Sequence, residues 1–213
     1  MKTQNLIRRS LFLLLIILPV SLLLSCSKED EDKSTPPVVT TSSVSQITTM
    51  TAVGGGTVTS EGGSAVVSRG VCWGTAPNPT VALTTKTVNG AGSGIFTSNL
   101  TNLTDGTVYY YRAYATNSSG TTYGQEFQFI TPVTDIEGNV YKTVKIGNQV
   151  WMAENLKSTK YNDEAPIPIV TSSDEWKVLE TPAYCWADND EATNKPLYGA
   201  LYNWFVVGTG KLC

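Results

Sequence analysis

The chain of 213 residues contains no histidine. Histidine changes its charge near neutral pH and is the commonest general base in enzymes. Its absence excludes Ser–His and Cys–His nucleophile pairs and every metal site that needs imidazole ligands. The carboxylate pairs Asp163–Glu164 and Asp174–Glu175 are neighbours in sequence, which does not give the separation across a cleft that glycoside hydrolysis needs. Asp174 and Glu175 are instead expected in the first turn of a short helix capped by Ser172 or Ser173. We therefore predict a protein that is not an enzyme and that needs no cofactor.

Charged residues are also scarce. They make up 15% of the chain, whereas an average soluble domain has roughly 25%. The formal net charge is -3 and no basic patch is present that would neutralise a phosphate backbone, so nucleic acid is not an expected partner. Few charges combined with many Thr, Ser and Gly residues favour β-structure over charged amphipathic helices.

The N-terminal residues have the pattern of a targeting segment and not of a folded domain. Basic residues precede an apolar run over residues 11–24, which is broken only by Pro19 and Ser21. The run is shorter than the approximately 20 apolar residues of a membrane span. Its length and flanks predict a secretory signal peptide over residues 1–25. The basic residues are Lys2, Arg8 and Arg9.

The apolar run ends in the sequence Leu-Leu-Ser-Cys at residues 23–26, which resembles the lipobox of bacterial lipoproteins. The resemblance implies that Cys26 is acylated and that a lipid anchor attaches the chain to a membrane. Stable attachment needs more than one acyl chain, because a single chain binds only marginally. The alternative is an ordinary signal peptide followed by an unmodified cysteine, and Leu24 is larger than the residue usual at its position.

Residues 26–37 are expected to form an acidic, proline-rich tether. The acidic run over residues 27–33 resembles the surface-export signal of Bacteroidetes-type lipoproteins, with a plain solvated tether as the alternative. The paired prolines Pro36 and Pro37 favour an extended conformation that holds the next domain away from the membrane. We therefore expect a lipid-anchored protein at the outer membrane or the cell surface.

Residues 38–132 alternate short β-rich runs with turn residues, which is typical of a β-sandwich. Cys72 is expected to be a small buried hydrophobic residue, with Arg69 as the only cation close to it in sequence. About seven strands are expected, over residues 38–44, 52–60, 66–74, 82–88, 94–100, 107–117 and 121–130.

The segment from Leu103 to Gly120 resembles the E–F corner and the F strand of fibronectin type III domains. The resemblance makes Tyr109 the corner tyrosine, whose hydroxyl bonds back to the chain. Alternation with a period of two gives this strand a core face and an outer face. The expected core face is Tyr109, Tyr111, Ala113 and Ala115. The expected outer face, directed outward or toward a neighbouring module, is Val108, Tyr110, Arg112 and Tyr114.

Residues 133–213 differ in composition, with more charges, Trp and Asn. Their first part predicts a β-hairpin that turns at Gly147-Asn148. Ordered blocks at residues 146–157, 184–190, 198–204 and 210–213 resemble the Fibrobacter succinogenes major paralogous domain (FISUMP) family. The resemblance implies a C-type-lectin-like α+β fold without an agreed catalytic role. The expected fold is mainly β: a fibronectin type III-like sandwich followed by a truncated lectin-like domain, incomplete at the C-terminus.

The second of these blocks supplies the candidate ligand contacts. Aromatic residues can stack on a sugar, although they more often serve the core. Trp186 stands beside polar residues and is the predicted exposed aromatic. The candidates for stacking are Trp176, Trp186, Tyr198, Tyr202 and Trp204. Asp188, Asp190 and Asn194 are oxygen ligands at a spacing that calcium accepts. A plain polar loop is the favoured alternative, and the run lacks the glycine of an EF-hand. The candidate contacts are Trp186, Asp188, Asn189 and Asp190.

Two cysteines remain once Cys26 is assigned to acylation and Cys72 to the core. Export to an oxidising compartment would allow Cys185 and Cys213 to form a disulfide. The alternative is two free cysteines, since the sequence does not give the Cα separation that a disulfide requires.

The predicted function is that of a non-catalytic, surface-exposed lipoprotein that binds a polysaccharide or a surface protein through its C-terminal lectin-like domain. One alternative is a structural spacer. Another is an accessory module of a larger protein whose working part is missing. Fibronectin type III-like and lectin-like folds both occur in proteins of many functions, so only a ligand site can distinguish these alternatives.

Overall fold

The structure, a computed structural model, describes residues 33–212. The predicted signal peptide and the lipidation at Cys26 lie outside the described residues, as does Cys213. Residues from Lys33 onward belong to one compact unit, so the domain boundary expected at residue 132 stays a prediction. In the described part of the chain, no helix has the length and apolar character needed to cross a bilayer.

Two antiparallel sheets form a β-sandwich, which confirms the mainly β fold. One sheet has the order β1–β2–β4, and in the other β5 pairs with β3, β6 and β7. This is the strand arrangement of a fibronectin type III-like sandwich. The strands are β1 (Val38–Thr41), β2 (Ala52–Ser60), β3 (Ser68–Gly74), β4 (Gly94–Leu100), β5 (Val108–Asn117), β6 (Gly120–Tyr123) and β7 (Phe127–Ile130).

Strand β5 crosses the middle of the core. Its four predicted inward residues are all buried, as the alternation along the strand requires. The Tyr109 hydroxyl accepts a hydrogen bond from the backbone N–H of Thr104 at 2.9 Å, as expected of a corner tyrosine. The Tyr109 ring stacks on Phe129 with 5.5 Å between the ring centroids. The core face predicted from alternation and the corner tyrosine predicted from the resemblance are therefore both confirmed.

The strand predicted over residues 82–88 is wrong. This segment runs beside β3 and forms only one isolated bridge, between Cys72 and Lys86. It still covers the edge of the sheet, because Thr87 donates a backbone hydrogen bond to Val71 at 2.9 Å. The count of seven strands survives because the last predicted strand is divided into β6 and β7.

Tyr114 lies on the outer face of β5, as predicted, but it does not face solvent, since the side chain is only 3% exposed. The segment that lies along β3 covers it, and the Tyr114 hydroxyl donates to the backbone oxygen of Thr87 at 2.7 Å. A loop that folds over the outer face of a sheet buries residues that alternation alone assigns to solvent.

Cys72 is a buried residue, as predicted. Burial raises the pKa of its thiol to about 11, although Arg112 and Lys86 lower it. These two residues, and not Arg69, are the cations near the sulfur. The Arg69 guanidinium instead donates to the backbone oxygens of residues 92–94.

Residues 133–212, called here the C-terminal segment, contain short elements joined by ordered loops. The hairpin at Gly147-Asn148 is confirmed, but it begins at Thr143 because the preceding strand pairs elsewhere. The lectin-like character of this segment stays a prediction. The elements are β8 (Val133–Thr134), β9 (Val140–Tyr141), β10 (Thr143–Ile146), β11 (Gln149–Met152), α1 (Ser173–Val178), β12 (Tyr184–Cys185), a 3-10 turn (Ala187–Asn189), α2 (Glu191–Tyr198), β13 (Leu201–Tyr202) and α3 (Trp204–Val207).

The chain that leaves β7 is bonded to the E–F corner of the sandwich. Gly106 donates its backbone N–H to the oxygen of Pro132 at 3.0 Å. The Thr143 hydroxyl donates to the backbone oxygen of Thr131 at 2.9 Å, and Thr131 is itself fully buried. The first bond holds the linker residue Pro132 on the corner, and the second joins the C-terminal segment to the sandwich in addition to the backbone.

Two carboxylates hold the start of the C-terminal segment in place, Asp135 through residues near it in sequence and Glu137 through a later loop. Asp135 accepts hydrogen bonds from the hydroxyl of Tyr141 at 2.6 Å and from the side chain of Asn139 at 2.8 Å. Burial opposes ionisation of Asp135, but these hydrogen bonds outweigh it and hold its pKa below the ordinary 3.8. Burial likewise opposes ionisation of Glu137. Hydrogen bonds from Thr159 and Ser158 lower its pKa below the ordinary 4.5.

We expect the melting temperature to fall as the pH decreases from about 5 to about 3. A carboxylate with a lowered folded pKa contributes stability that is present above its unfolded pKa and is lost as the pH falls through the folded value. Asp135→Asn should lower the melting temperature at pH 7 and reduce its fall in acid. Thermal unfolding followed by circular dichroism checks this. The control is Asp174→Asn, whose salt bridge to Lys177 is exposed. An unchanged acid response in Asp135→Asn would contradict the prediction.

Candidate functional site

A depression of about 370 Å³ lies in the C-terminal segment between helix α1 and the 3-10 turn. Small-molecule sites usually have volumes of about 300–1,000 Å³ and combine aromatic walls with a few polar groups. The lining fits that description, since two tryptophans meet hydroxyl and carboxylate side chains there. The lining includes Ser172, Ser173, Trp176, Trp186, Asp188 and Asn189.

Helix α1 forms one side of the depression. Its N-cap is Ser172, whose hydroxyl oxygen accepts a hydrogen bond from the backbone N–H of Glu175. Such a cap satisfies a backbone donor that would otherwise have no partner at the helix start. The sequence predicted this short helix with a cap at Ser172 or Ser173, and the structure confirms it.

The 3-10 turn forms the opposite side. Asp188 and Asn189 have φ angles of 52° and 55°, in the left-handed region. Short polar side chains tolerate this conformation better than others because they bond locally. The side-chain amide of Asn189 donates to the backbone oxygen of Thr171 at 2.9 Å. The turn is therefore tied to the chain that enters α1.

Trp186 lines the depression, but its predicted exposure is wrong. Only 3% of it is exposed, and its ring meets Tyr184 edge-on with 5.4 Å between centroids. The Lys195 ammonium lies 5.2 Å from the Trp186 ring centroid. Residues two apart along an extended chain share a face, so Trp186 follows Tyr184 into the core. Its polar neighbours in sequence belong to the turn that begins after it.

Trp176 is the half-buried aromatic residue of the site, and it is one of the five stacking candidates from the sequence, although Trp186 was preferred there. Trp176 lies in the capped helix that the sequence predicted. The position of that helix beside the 3-10 turn depends on the hydrogen bond between Asn189 and Thr171, which are 18 residues apart in the sequence. Local sequence patterns do not report such contacts.

Asp190 and Asn194 do not line the depression. Asp190 is the N-cap of α2 and accepts a hydrogen bond from the backbone N–H of Thr193, which holds its pKa below the ordinary value. The buried Asn194 donates its amide to the backbone oxygen of Ala187 at 2.7 Å. Residues 33–212 contain no group of three His, Cys, Asp or Glu residues placed to hold a metal ion. The calcium site stays a prediction.

Cys185 also lines the depression and is partly buried, and burial raises the pKa of its thiol. Its expected disulfide partner, Cys213, lies outside the described residues. The disulfide therefore stays a prediction.

Another cavity, of about 420 Å³, lies near the start of the C-terminal segment. Aliphatic side chains such as Val133, Met152 and Leu156 dominate its lining, and it contains none of the predicted contacts. The depression beside α1 is the candidate site because it alone of the two combines tryptophan rings with exposed polar groups.

Residues 144–213 match the family model of the Fibrobacter succinogenes major domain. A search of the curated proteins finds no match to this chain. Among solved structures, the sensor domain of the anti-sigma factor RsgI4 in Pseudobacteroides cellulosolvens is 22% identical over 46% of this chain and 95% of that one, with a TM-score of 0.34. A human fibronectin type III domain, from the KIAA0970 protein, is 15% identical over 57% of this chain and 95% of that one, with a TM-score of 0.36.

The chicken CNTN1 FN1–FN3 domains are 14% identical over 47% of this chain and 35% of that one, with a TM-score of 0.30. No functional inference rests on similarities this low. Residues 144–213, which include the whole depression beside α1, are thus similar to the Fibrobacter succinogenes major domain.

Proposed function

We propose that the chain is a non-catalytic binding protein and that the depression beside α1 binds a carbohydrate. The observation that supports this most directly is the pairing of Trp176 and Trp186 with polar side chains in one concave site. A sugar ring has apolar C–H faces and a rim of hydroxyls. Binding therefore needs an apolar ring to cover a face and polar groups to meet the rim.

The polar groups of the site offer both kinds of hydrogen bond. The exposed carboxylate of Asp188 accepts only, as ionised carboxylates do. The Ser172 hydroxyl already accepts from Glu175 and retains its proton for donation. The formal net charge of -3 disfavours anionic polymers, so we propose an uncharged polysaccharide.

Our proposal for the setting is a lipid anchor at Cys26 and display at the outer membrane or the cell surface. Its support is the lipobox-like sequence at residues 23–26 and the acidic run after it. In this setting the sandwich would hold the C-terminal segment away from the membrane. The polysaccharide, or a surface protein in its place, would then reach the depression from outside.

A second candidate function is a structural spacer or an accessory module of a larger protein. It is favoured by the two hydrogen bonds that join Gly106 to Pro132 and Thr143 to Thr131. A firm connection between the sandwich and the C-terminal segment suits a spacer. The same connection would also suit a protein that holds a binding site away from the membrane. A ligand-binding test is therefore needed to distinguish a spacer from a binding protein.

The test is retention on immobilised, uncharged polysaccharides. The protein starts at Lys33, where the compact unit begins. Trp176→Ala should weaken retention at least tenfold, which corresponds to about 1.4 kcal/mol of binding free energy. The matched control is Trp204→Ala, because Trp204 is 76% exposed and does not line the depression. Equal retention of both variants would contradict the assigned site. Failure of every polysaccharide to retain the unsubstituted chain would favour the spacer.

A further inference from the structure

Helix α1 is weakly attached to the rest of the molecule. None of its residues, Ser173–Val178, is buried, and Val178 is 77% exposed. Trp176 is the one half-buried residue of the helix, and it lines the depression. The salt bridge between Lys177 and Asp174 is exposed at both ends and contributes little.

The chain on each side of α1 is held firmly. Before the helix, Val170 donates its backbone N–H to Tyr184 at 3.0 Å, and Asn189 bonds the backbone oxygen of Thr171. After the helix, the side-chain amide of Asn203 donates to the backbone oxygen of Thr181 at 2.7 Å. Between these points, the hydrogen bonds of Ser172, Asp174, Glu175, Trp176 and Lys177 stay within the segment.

A helix of six residues is only marginally stable without tertiary packing. The free energy needed to nucleate it exceeds what its few hydrogen bonds contribute. Segments with few buried contacts open locally at low free energy while the core stays folded. Here only two half-buried side chains, those of Trp176 and Leu179, pack the segment onto the molecule. Both ends remain fixed, so an opening would move the segment as a flap.

We propose that residues 172–180 are a lid hinged at Thr171 and Thr181, and that the lid carries Trp176 onto the bound sugar. The inference rests on the proposed function and names its main contact residue. A ligand that contacts Trp176 binds the closed lid better than the open one and shifts the population toward closure. Trp186, on the fixed side, forms the other wall.

Hydrogen exchange of the chain from Lys33 tests the lid without a ligand. We expect the amides of α1 to exchange at least a hundredfold faster than those of β5 in the core. Ser172→Ala removes the N-cap and should speed exchange in α1 about fivefold. Ser173→Ala is the matched control and should cause no increase, because its hydroxyl makes no cap hydrogen bond. If the amides of α1 exchange as slowly as those of β5, the proposal that residues 172–180 form a lid is overturned.

A second measurement adds the sugar. The probe is cellohexaose, xylohexaose or mannohexaose, chosen to match the polysaccharide that retains the chain. Slower exchange in α1 with the probe, lost in Trp176→Ala, would support the proposal. Binding that leaves α1 exchange unchanged would overturn the role of the lid, although the proposed function would stand. If α1 exchanges fast but no polysaccharide is retained, the proposed function fails and the assignment of Trp176 as a sugar contact fails with it.

Discussion

Trp186→Ala is expected to lower the free energy of unfolding by about 3–5 kcal/mol, the usual cost of removing a large aromatic side chain from a core. Trp186 belongs to a cluster of buried residues and packs edge-on against Tyr184. Its removal would leave a cavity that the short elements around it have little means to fill. Denaturant unfolding of the chain from Lys33 measures the loss.

The control for Trp186→Ala is again Trp204→Ala, which removes the same side chain from an exposed position. Substitutions at such positions usually change stability by about 0.5 kcal/mol or less. A loss below about 1 kcal/mol for Trp186→Ala would show that Trp186 is not part of the core. If the large loss is found, reduced ligand retention by this variant reports unfolding, and Trp176 is the residue with which to test binding.

Tyr111→Ala should have a similarly large effect in the sandwich, about 3–5 kcal/mol. The side chain is fully buried between the two sheets. Its ring fills the space beside Gly54, where an added Cβ atom would lie 2.8 Å from the ring. It also meets Phe129 edge-on, with 6.4 Å between centroids. Denaturant unfolding monitored by far-UV circular dichroism measures the loss.

Tyr111→Phe separates the hydroxyl from the ring. The hydroxyl donates to the backbone oxygen of Ser42 and accepts from the backbone N–H of Gly55 at 3.4 Å. Loss of the hydroxyl leaves buried backbone groups without a partner, at a cost of about 1–3 kcal/mol. The matched control is Tyr110→Phe, on the other face of β5, which should change stability little. Equal losses in Tyr110→Phe and Tyr111→Phe would contradict a role for the buried hydroxyl.

Much of the sandwich was predictable because its strands are separated by clear turns. The predicted limits of β2 and β4 agree with the structure residue for residue. The core face of β5 followed from alternation alone, and Tyr109 from its resemblance to a corner tyrosine. The strand expected over residues 82–88 failed for a physical reason. The segment bonds to β3 at intervals and never forms a continuous ladder.

The candidate site was less predictable. Asp188 and Asn189 do line it, but the assignment of Trp186 as exposed took account of its polar neighbours and not of its register with Tyr184. Trp176 was a candidate but was ranked below Trp186, because its contribution depends on how α1 is placed beside a turn that follows later in the chain. Hydrogen bonds between loops that are distant in the sequence determine that placement. Such bonds do not produce a periodic pattern of residues, so they cannot be predicted from periodicity.

The two hydrogen bonds beside the chain that leaves β7 have a mechanical consequence. If a held polysaccharide pulls on the C-terminal segment, the force reaches the sandwich by more than the covalent backbone. The bond from Gly106 to Pro132 and the bond from Thr143 to Thr131 share the load with it. Tension is then delivered to the E–F corner, where Tyr109 bonds back to Thr104, instead of peeling β7 from β5 at its last residue.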